Sequence, residues 1–284
     1  MTRLFKRAVN VTISRVRYEK FFGQTFNSLV INGLRVTFSI DKRLGSEPNR
    51  CELAIYNLSK ETRSFVEDSP VHVRLDAGYD GEFHLMFQGD VLFARSYKDG
   101  TEWITEIQVE DGGRAWRRAR ISKSFKSGVK VYDALDDVCK AMNLITPTGL
   151  DVKELRSAEY SIGAVLDGRC RDELTRILLS FDLDWSIQDG ELQILKRESV
   201  RPDGIVVWSE DTGLIGSPEV GTPSRKGGKP VYSARALLYP GLKPGQRINI
   251  QSRGVNGFFR IESLTHQGDT EGGDMITEVE CKAA

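Results

Sequence analysis

Apolar and polar residues alternate along most of the first 118 residues, which is the period of a half-buried β-strand. Every second residue from Leu34 to Ile40 is apolar, so these side chains fall on one face. A short helix interrupts the pattern, with Ser59 as its N-cap and Pro70 as its stop. We therefore predict an antiparallel β-domain with one helical crossing and further strands at 9–16, 51–56, 71–75, 83–94 and 103–109.

The period changes near Ile121 to that of amphipathic helices. Apolar residues at helical spacing predict helices over 131–142 and 169–181, and a hairpin with strands at 183–187 and 192–195 follows. The middle of the chain is therefore predicted to be a small α/β module. Asp-Gly pairs favour tight hairpin turns, and they stand at 80–81, 99–100 and 189–190.

The chain becomes β-like again from Gly204 and ends in a series of hairpins. A Pro-Gly turn at 240–241 opens one strand, a return strand covers 258–264, and a polar loop at 268–274 leads to a last strand at 276–279. The predicted fold class is thus mainly β with an α+β insert. Two antiparallel β-domains, 1–119 and 200–284, flank the small α/β module 120–199.

Composition limits the classes of function. The 284 residues suit roughly two or three domains. The 40 basic residues balance the 40 acidic ones, so no long-range field favours nucleic acid or an anionic membrane. The segment 1–8 is basic but lacks the apolar core of a secretion signal. No run in the sequence approaches the roughly 18 apolar residues of a membrane span. We expect synthesis in the cytosol and no membrane span.

The four cysteines and three histidines are scattered and do not have the spacing of a zinc site. We interpret the cysteines as reduced, mostly buried thiols, which is the usual state in a reducing cytoplasm. They are Cys51, Cys139, Cys170 and Cys281.

Two acidic segments have some features of metal-binding loops. Asp182, Asp184 and Ser186 match the first half of a calcium loop, but the sixth position is Ile187 and no Glu stands at the twelfth. The loop 268–274 is acidic and Gly-rich, as plain hairpin loops also are. We predict no metal-binding and no cofactor-binding residues.

No catalytic motif is present in the sequence. It contains no Gly-x-Ser-x-Gly elbow, no phosphate-binding Gly-rich loop and no His-Glu-x-x-His. His266, near Asp269, is the one histidine predicted to lie in an exposed loop, and we interpret it as a strand-end or interface residue. We predict no catalytic residues and no enzymatic activity.

A basic segment at 114–130 has two interpretations. It could contact phosphates or the acidic surface of a partner, and the neutral chain favours a protein partner over nucleic acid. Alternatively, it is an alternating strand with one solvated basic face. Its cations are Arg114, Arg117, Arg118, Arg120, Lys123, Lys126 and Lys130, and Trp116, Ile121 and Phe125 lie between them.

Several phrases in a fixed order resemble the baseplate hub proteins of contractile-tailed bacteriophages. The phrase Ile-Tyr-Asn-Leu-Ser at 55–59 leads from a predicted strand into the crossing helix, as in that family. The segments 71–79 and 87–91 are similar to the family's next strands, and 122–128 to its entry into the middle domain. The phrases at 257–261 and 266–270 resemble its C-terminal hairpin.

The resemblance implies a mechanical role. Hub proteins of this kind form a homotrimer in which each subunit carries two tube-like β-domains, so that the ring has six similar units. On this chain those units would be 1–119 and 200–284, with 120–199 outside the ring. The ring would join the hexameric tail tube, or tube-initiator proteins, to the trimeric central spike. Neighbouring baseplate proteins would be further partners, and DNA could pass through the lumen without specific binding.

The implied location is the tail baseplate of the virion, after assembly in the host bacterial cytoplasm. The segments 21–27, 45–49 and 221–229 are predicted to be mobile and to become ordered on docking. Two alternatives remain open. One is a six-fold tail-tube or distal-tail ring protein, which needs only one β-domain per subunit. The other is a tail-associated cell-wall hydrolase, which a peptidoglycan zymogram would detect.

Overall fold

Strands dominate the structure, a computed structural model that describes residues 6–19, 23–68, 71–79, 82–147, 152–221 and 229–284. Strands hold 54% of the residues and helices 18%, so the prediction of a mainly β chain with an α+β insert is confirmed. The strands are β1 (Arg7–Glu19), β2 (Gly23–Ile31), β3 (Val36–Arg43), β4 (Arg50–Tyr56), β5 (Val71–Tyr79), β6 (Glu82–Asp99), β7 (Glu102–Glu110), β8 (Arg120–Phe125), β9 (Ala164–Arg169), β10 (Leu183–Gln188), β11 (Glu191–Lys196), β12 (Val206–Ser209), β13 (Leu214–Gly221), β14 (Val231–Leu237), β15 (Arg247–Gln251), β16 (Asn256–Asp269) and β17 (Met275–Ala283). The helices are α1 (Lys60–Glu67), α2 (Gly113–Arg118), α3 (Val131–Ala141), α4 (Lys153–Ser157) and α5 (Cys170–Leu179).

One 13-stranded sheet contains both β-regions of the chain. Its strand order is β13-β14-β17-β16-β3-β4-β7-β6-β5-β1-β2, and β15 joins β16 to β12 at one side. The two regions meet where β3 pairs antiparallel with β16 over seven residue pairs, from Thr37 opposite Asp269 to Arg43 opposite Ser263. We call this pairing the seam. Because of the seam, the predicted β-domains share one continuous sheet.

The N-terminal region follows its predicted alternation. Val36, Phe38 and Ile40 point into the core, whereas Leu34 lies before β3 and packs only partly against it. The Ser59 hydroxyl accepts a hydrogen bond from the Thr62 backbone N–H at 3.2 Å, which confirms the N-cap of α1.

Two turn predictions of this region have different outcomes. Gly100, at a φ of +56°, turns the chain between β6 and β7 as predicted. The predicted stop at Pro70 and the predicted turn at 80–81 lie outside the described residues.

The α/β module packs α3 and α5 over the small sheets β8–β9 and β10–β11. Leu135 and Val138 of α3 and Leu174 and Leu178 of α5 are completely buried, as their helical spacing predicts. The C-terminal region has its own cluster around Trp208, with residues from β14 to β17. Each cluster draws mainly on one of the segments 1–119, 120–199 and 200–284, and these boundaries stay a prediction.

Strand β16 continues further than the sequence predicts, to Asp269, so that only 270–274 form the polar loop. This extension places Gly268 opposite Phe38 across the seam. A Cβ on Gly268 would come within 2.5 Å of two carbons of the Phe38 ring. The missing side chain therefore makes room for a core aromatic residue.

We predict that Gly268→Ala lowers the free energy of unfolding by about 1–3 kcal/mol, because the added methyl group overpacks the seam. Urea denaturation measures this change. Gly272→Ala is the matched control, since a Cβ there meets no atom within 4 Å. Replacing Phe38 by Leu in the Gly268→Ala background should restore part of the loss. Equal stability of Gly268→Ala and wild type would contradict the packing argument.

Candidate assembly site

One face of the sheet is polar across the seam. The side chains that alternate with the core residues of β3, β16, β17 and β14 point to this face and line an open groove of about 920 Å³. Its lining includes Asp41, Arg43, Glu219, Arg235, Thr265 and Glu278. The alternation that fills the core on one side of the sheet thus produces a hydrophilic concave surface on the other.

Charges in this groove are mostly satisfied within the chain, with an excess of acid. Arg235 pairs with Glu278, and the Thr265 hydroxyl donates to Asp41 at 2.8 Å. The Ser263 hydroxyl donates to Glu280 at 2.9 Å. Glu262 pairs with Arg260 and Lys282, at 2.6 and 3.3 Å. Lys42 points to the other side of the sheet and is buried, so the charged side chains that line the groove are Asp41, Arg43, Glu219, Arg235, Glu262, Glu278 and Glu280.

A buried turn connects the α/β module to this sheet. Asp189 and Gly190 join β10 to β11 with φ angles of +57° and +82°, so the predicted hairpin turn is confirmed. The Lys42 Nζ atom lies 2.6 Å from a carboxylate oxygen of Asp189, and both side chains are 2% exposed. Lys243 lies 3.7 Å from the other oxygen. The Asp189–Gly190 turn of the α/β module is therefore buried against the large sheet. We call this buried turn and its lysine partners the charged plug.

Neighbouring polar groups bind the backbone of the same turn. Asp111, directly after β7, accepts hydrogen bonds from the backbone N–H groups of Asp189 and Gly190, at 2.5 and 2.8 Å. The Asn49 amide donates to the Ile187 carbonyl at 2.9 Å. Gln88 of β6 donates to the Asp189 carbonyl. Four separate segments of the N-terminal region thus fix the position of the module.

Sequence reasoning recognised the turn at 189–190 but missed its burial and its partners. Lys42 occupies an apolar position in the alternation of β3, and this is the one signal in the sequence that could have indicated a buried charge. No local feature identifies Asp111 or Asn49 as its neighbours. Asn49 also ends the predicted mobile segment 45–49, whereas residues 21–22 and 222–228 of the other two segments lie outside the described residues.

Burial changes the pKa values of Asp111 and of His266. The pKa of Asp111 is raised to about 7, first by its removal from water and then by the nearby Asp189 carboxylate. Burial lowers the pKa of His266 to about 3, with a further contribution from Lys42. His266 is consequently neutral at physiological pH.

The prediction that His266 lies in an exposed loop is wrong. Because β16 continues to Asp269, His266 is paired with Ile40 on one side and Thr277 on the other, in the middle of the sheet. Its side chain is 1% exposed, and its Nδ1 atom lies 2.8 Å from the Thr277 hydroxyl. Its role here is therefore structural, as a satisfied polar group in the core.

The basic segment is not one alternating strand. Gly112, at a φ of +63°, ends the path of β7 and opens helix α2, and only the residues from Arg120 onward form a strand. Four of the seven cations form ion pairs within the chain. These pairs are Arg114–Asp90 at 3.8 Å, Arg117–Glu110, Lys123–Asp137 at 2.6 Å and Lys130–Glu159 at 2.5 Å.

The cysteines and the acidic segments provide no chemical centre in the part of the chain that the structure describes. No group of three His, Cys, Asp or Glu residues is placed there to hold a metal ion. Asp182 and Asp184 instead lie 3.6 and 3.5 Å from Arg197. All four cysteines are buried and free, and burial raises the pKa of Cys139 and Cys281 to about 12.

No described helix is long and apolar enough to span a membrane.

Comparison with known proteins gives matches at the level of structure. No protein-family model matches the sequence, and no curated protein matches it. A 43 kDa tail protein of prophage MuSo2 from Shewanella oneidensis aligns with a TM-score of 0.65 and 11% identity, over 98% of both chains. A component of the Escherichia coli type VI secretion system, c3393, aligns with a TM-score of 0.59 and 11% identity, over 88% of this chain and 73% of its own. That component is itself structurally similar to the T4 bacteriophage tail proteins gp27 and gp5.

A Francisella PdpA–VgrG complex contains a chain that aligns over all of this one and 59% of its own length, with a TM-score of 0.67 and 9% identity. At such low identities the likeness establishes the fold. The chain has the fold of phage tail proteins, in agreement with its sequence resemblance.

We predict that Lys42→Met lowers the free energy of unfolding by about 3–5 kcal/mol, because the buried Asp189 carboxylate loses its hydrogen-bonded partner at 2.6 Å and keeps only the more distant Lys243 at 3.7 Å. Chemical denaturation measures the loss. Arg95→Met is the matched control: it breaks an ion pair with Glu106 in which both side chains are more than a third exposed, so a change below about 1 kcal/mol is expected. A similar small effect for both variants would show that the plug contributes little.

A second prediction concerns pH. The raised pKa means that the folded protein holds a proton on Asp111 between about pH 4 and pH 7, where the unfolded chain has released it. The contribution of Asp111 to stability therefore falls as the pH rises through this window. Between pH 5 and pH 8, wild type should lose on the order of 2 kcal/mol more than Asp111→Asn, measured by urea unfolding.

The comparison with Asp111→Asn removes the effects of other groups. His266 has a lowered pKa and acts in the opposite direction, since its contribution is lost as the pH falls below about 6.5, but it is present in both proteins. An equal pH dependence of wild type and Asp111→Asn would contradict the assignment.

Proposed function

We propose that this chain is a structural hub of a phage or phage-like contractile-tail baseplate, in which three copies form a ring with six similar β-units. The observation that carries the proposal is the seam, because it joins two β-regions of one subunit edge to edge in a single sheet. The whole-length likeness to a prophage tail protein supports it. The proposal assigns the chain no reaction and no cofactor.

The two ends of the sheet provide the contacts that such a ring needs. Strand β13 ends the sheet on one side and β2 ends it on the other, and among the described strands each pairs with a single neighbour. Val220 of β13 is 60% exposed and Val30 of β2 is 55% exposed. Unlike edges favour a head-to-tail contact between copies, and such contacts close into rings.

The polar groove suits the wall of a central channel. Its charges are mostly paired within the chain and the remaining excess is acidic, so DNA phosphates would be weakly repelled from it. A surface of this kind permits passage without specific binding. On this proposal the α/β module lies outside the ring, held by the Asp189–Gly190 plug.

Proposed partners follow from the same arrangement. The six-unit side of the ring would dock the tail tube or its initiator, and the three-fold side would carry the central spike. The protein would then lie in the baseplate of the virion tail, after assembly in the host bacterial cytoplasm. The neighbour from Francisella is one chain of a PdpA–VgrG complex, which supports partners of the tail-complex type.

We predict a trimer of about 96 kDa in native mass spectrometry, since one subunit has a mass of 31.9 kDa. Val220→Lys should convert the trimer to monomers, because a charge on the edge strand opposes pairing with the next copy. Leu179→Lys is the matched control: Leu179 is 59% exposed, at the end of α5 in the α/β module.

Three other outcomes would contradict this prediction. A hexamer would favour the tail-tube or distal-tail ring. A trimer that survives Val220→Lys would place the subunit contact elsewhere. A wild-type monomer, even with tail components present, would remove the basis for a ring.

A further inference from the structure

A small exposed ribbon on the α/β module has one unoccupied face. Strands β8 and β9 pair only with each other among the described strands, and their inner face packs through Ile121, Phe125 and Leu166 against the core of the module. The residues of the outer face are all exposed. They form three cross-strand pairs: Arg120 with Arg169, Ser122 with Asp167, and Ser124 with Val165.

The Arg120–Arg169 pair is unusual because like charges directly opposite each other destabilise a sheet. Neither guanidinium has a hydrogen bond or an ion pair with any part of the chain that the structure describes. Four cations of the basic segment form ion pairs with acidic residues of the chain, whereas Arg120 and Arg169 do not. Each guanidinium has N–H donors in a planar fork that fits a carboxylate, and two of them opposite each other place two positive charges at this end of the ribbon.

The end of the ribbon away from the arginines has exposed apolar side chains. Val165 is 63% exposed, and Ile162, in the loop before β9, is 96% exposed. The face thus has a cationic end, a middle with Ser122 and Asp167, and an apolar end. This order of cationic, polar and apolar side chains along the ribbon is complementary to a protein segment that has a carboxylate group and an apolar side chain a few residues apart.

We propose that the outer face of the β8–β9 ribbon binds an acidic, partly apolar segment of a neighbouring protein, with a carboxylate held between Arg120 and Arg169. Nucleic acid fits less well, because Asp167 stands in the middle of the face and repels phosphates. A second copy of the same ribbon is disfavoured, since it would bring four arginines together. The inference concerns the α/β module and stands independently of the ring.

Fluorescence anisotropy tests this proposal with a labelled octapeptide of alternating Glu and Val, titrated with the full chain at low salt. We expect saturable binding that weakens at higher salt. Arg120→Glu should weaken it at least tenfold. This variant should unfold at the same urea concentration as wild type or a higher one, because an opposite-charge pair with Arg169 replaces a like-charge pair.

Three controls make the test specific. Arg253→Glu introduces the same charge change at an exposed arginine in the loop between β15 and β16, and should bind the peptide as wild type does. An octapeptide with Gln in place of Glu should bind at least tenfold more weakly to wild type. Absence of saturable peptide binding, equal binding by both variants, or tighter binding of an eight-nucleotide single strand that Arg120→Glu abolishes would each overturn the proposal.

Discussion

The antiparallel pairing of β3 with β16 is the constraint on which the rest of this structure depends. It joins segments that are far apart in the chain, as the hydrogen bond from the Val36 N–H to the Thr270 hydroxyl shows: these residues are 234 positions apart. Such a long-range contact costs loop-closure entropy, which the packing of both sheet regions must offset. Its register also places Gly268 opposite Phe38 and His266 opposite Ile40.

The seam also determines where the charged plug can form. It ends near Lys42, whose side chain lies on the inner side of the sheet and meets Asp189 there. Burying a charged pair costs solvation, so the plug need not add much net stability, and a well-packed apolar replacement could be equally stable. A hypothesis consistent with its geometry is that it specifies one orientation of the α/β module. That orientation in turn determines where the β8–β9 ribbon points relative to the polar groove.

Sequence patterns predicted those features that depend on local periodicity. The strands of the N-terminal region, the two long helices and the Asp189–Gly190 turn follow from alternation, helical spacing and turn preference. The burial of His266 and the plug could not be predicted, since they depend on the long-range register of β3 and β16. The alternating-strand interpretation of the basic segment is wrong because Gly112 turns the chain into helix α2 just before the run of cations, and composition does not show this turn. The partners of four of those cations lie on other elements, at positions no local pattern indicates.

A hub that joins a six-fold tube to a three-fold spike must present six similar units from three copies. In this chain one subunit has two β-regions in one sheet, a polar groove across their seam, and two unlike strands, β13 and β2, at the ends of the described sheet. Electron cryomicroscopy of the purified assembly, viewed along its axis, tests this most directly. We expect a three-fold ring whose inner wall has six similar sheet units and whose channel is lined by the groove residues. A ring with strict six-fold symmetry, or particles without a channel, would contradict the proposed hub.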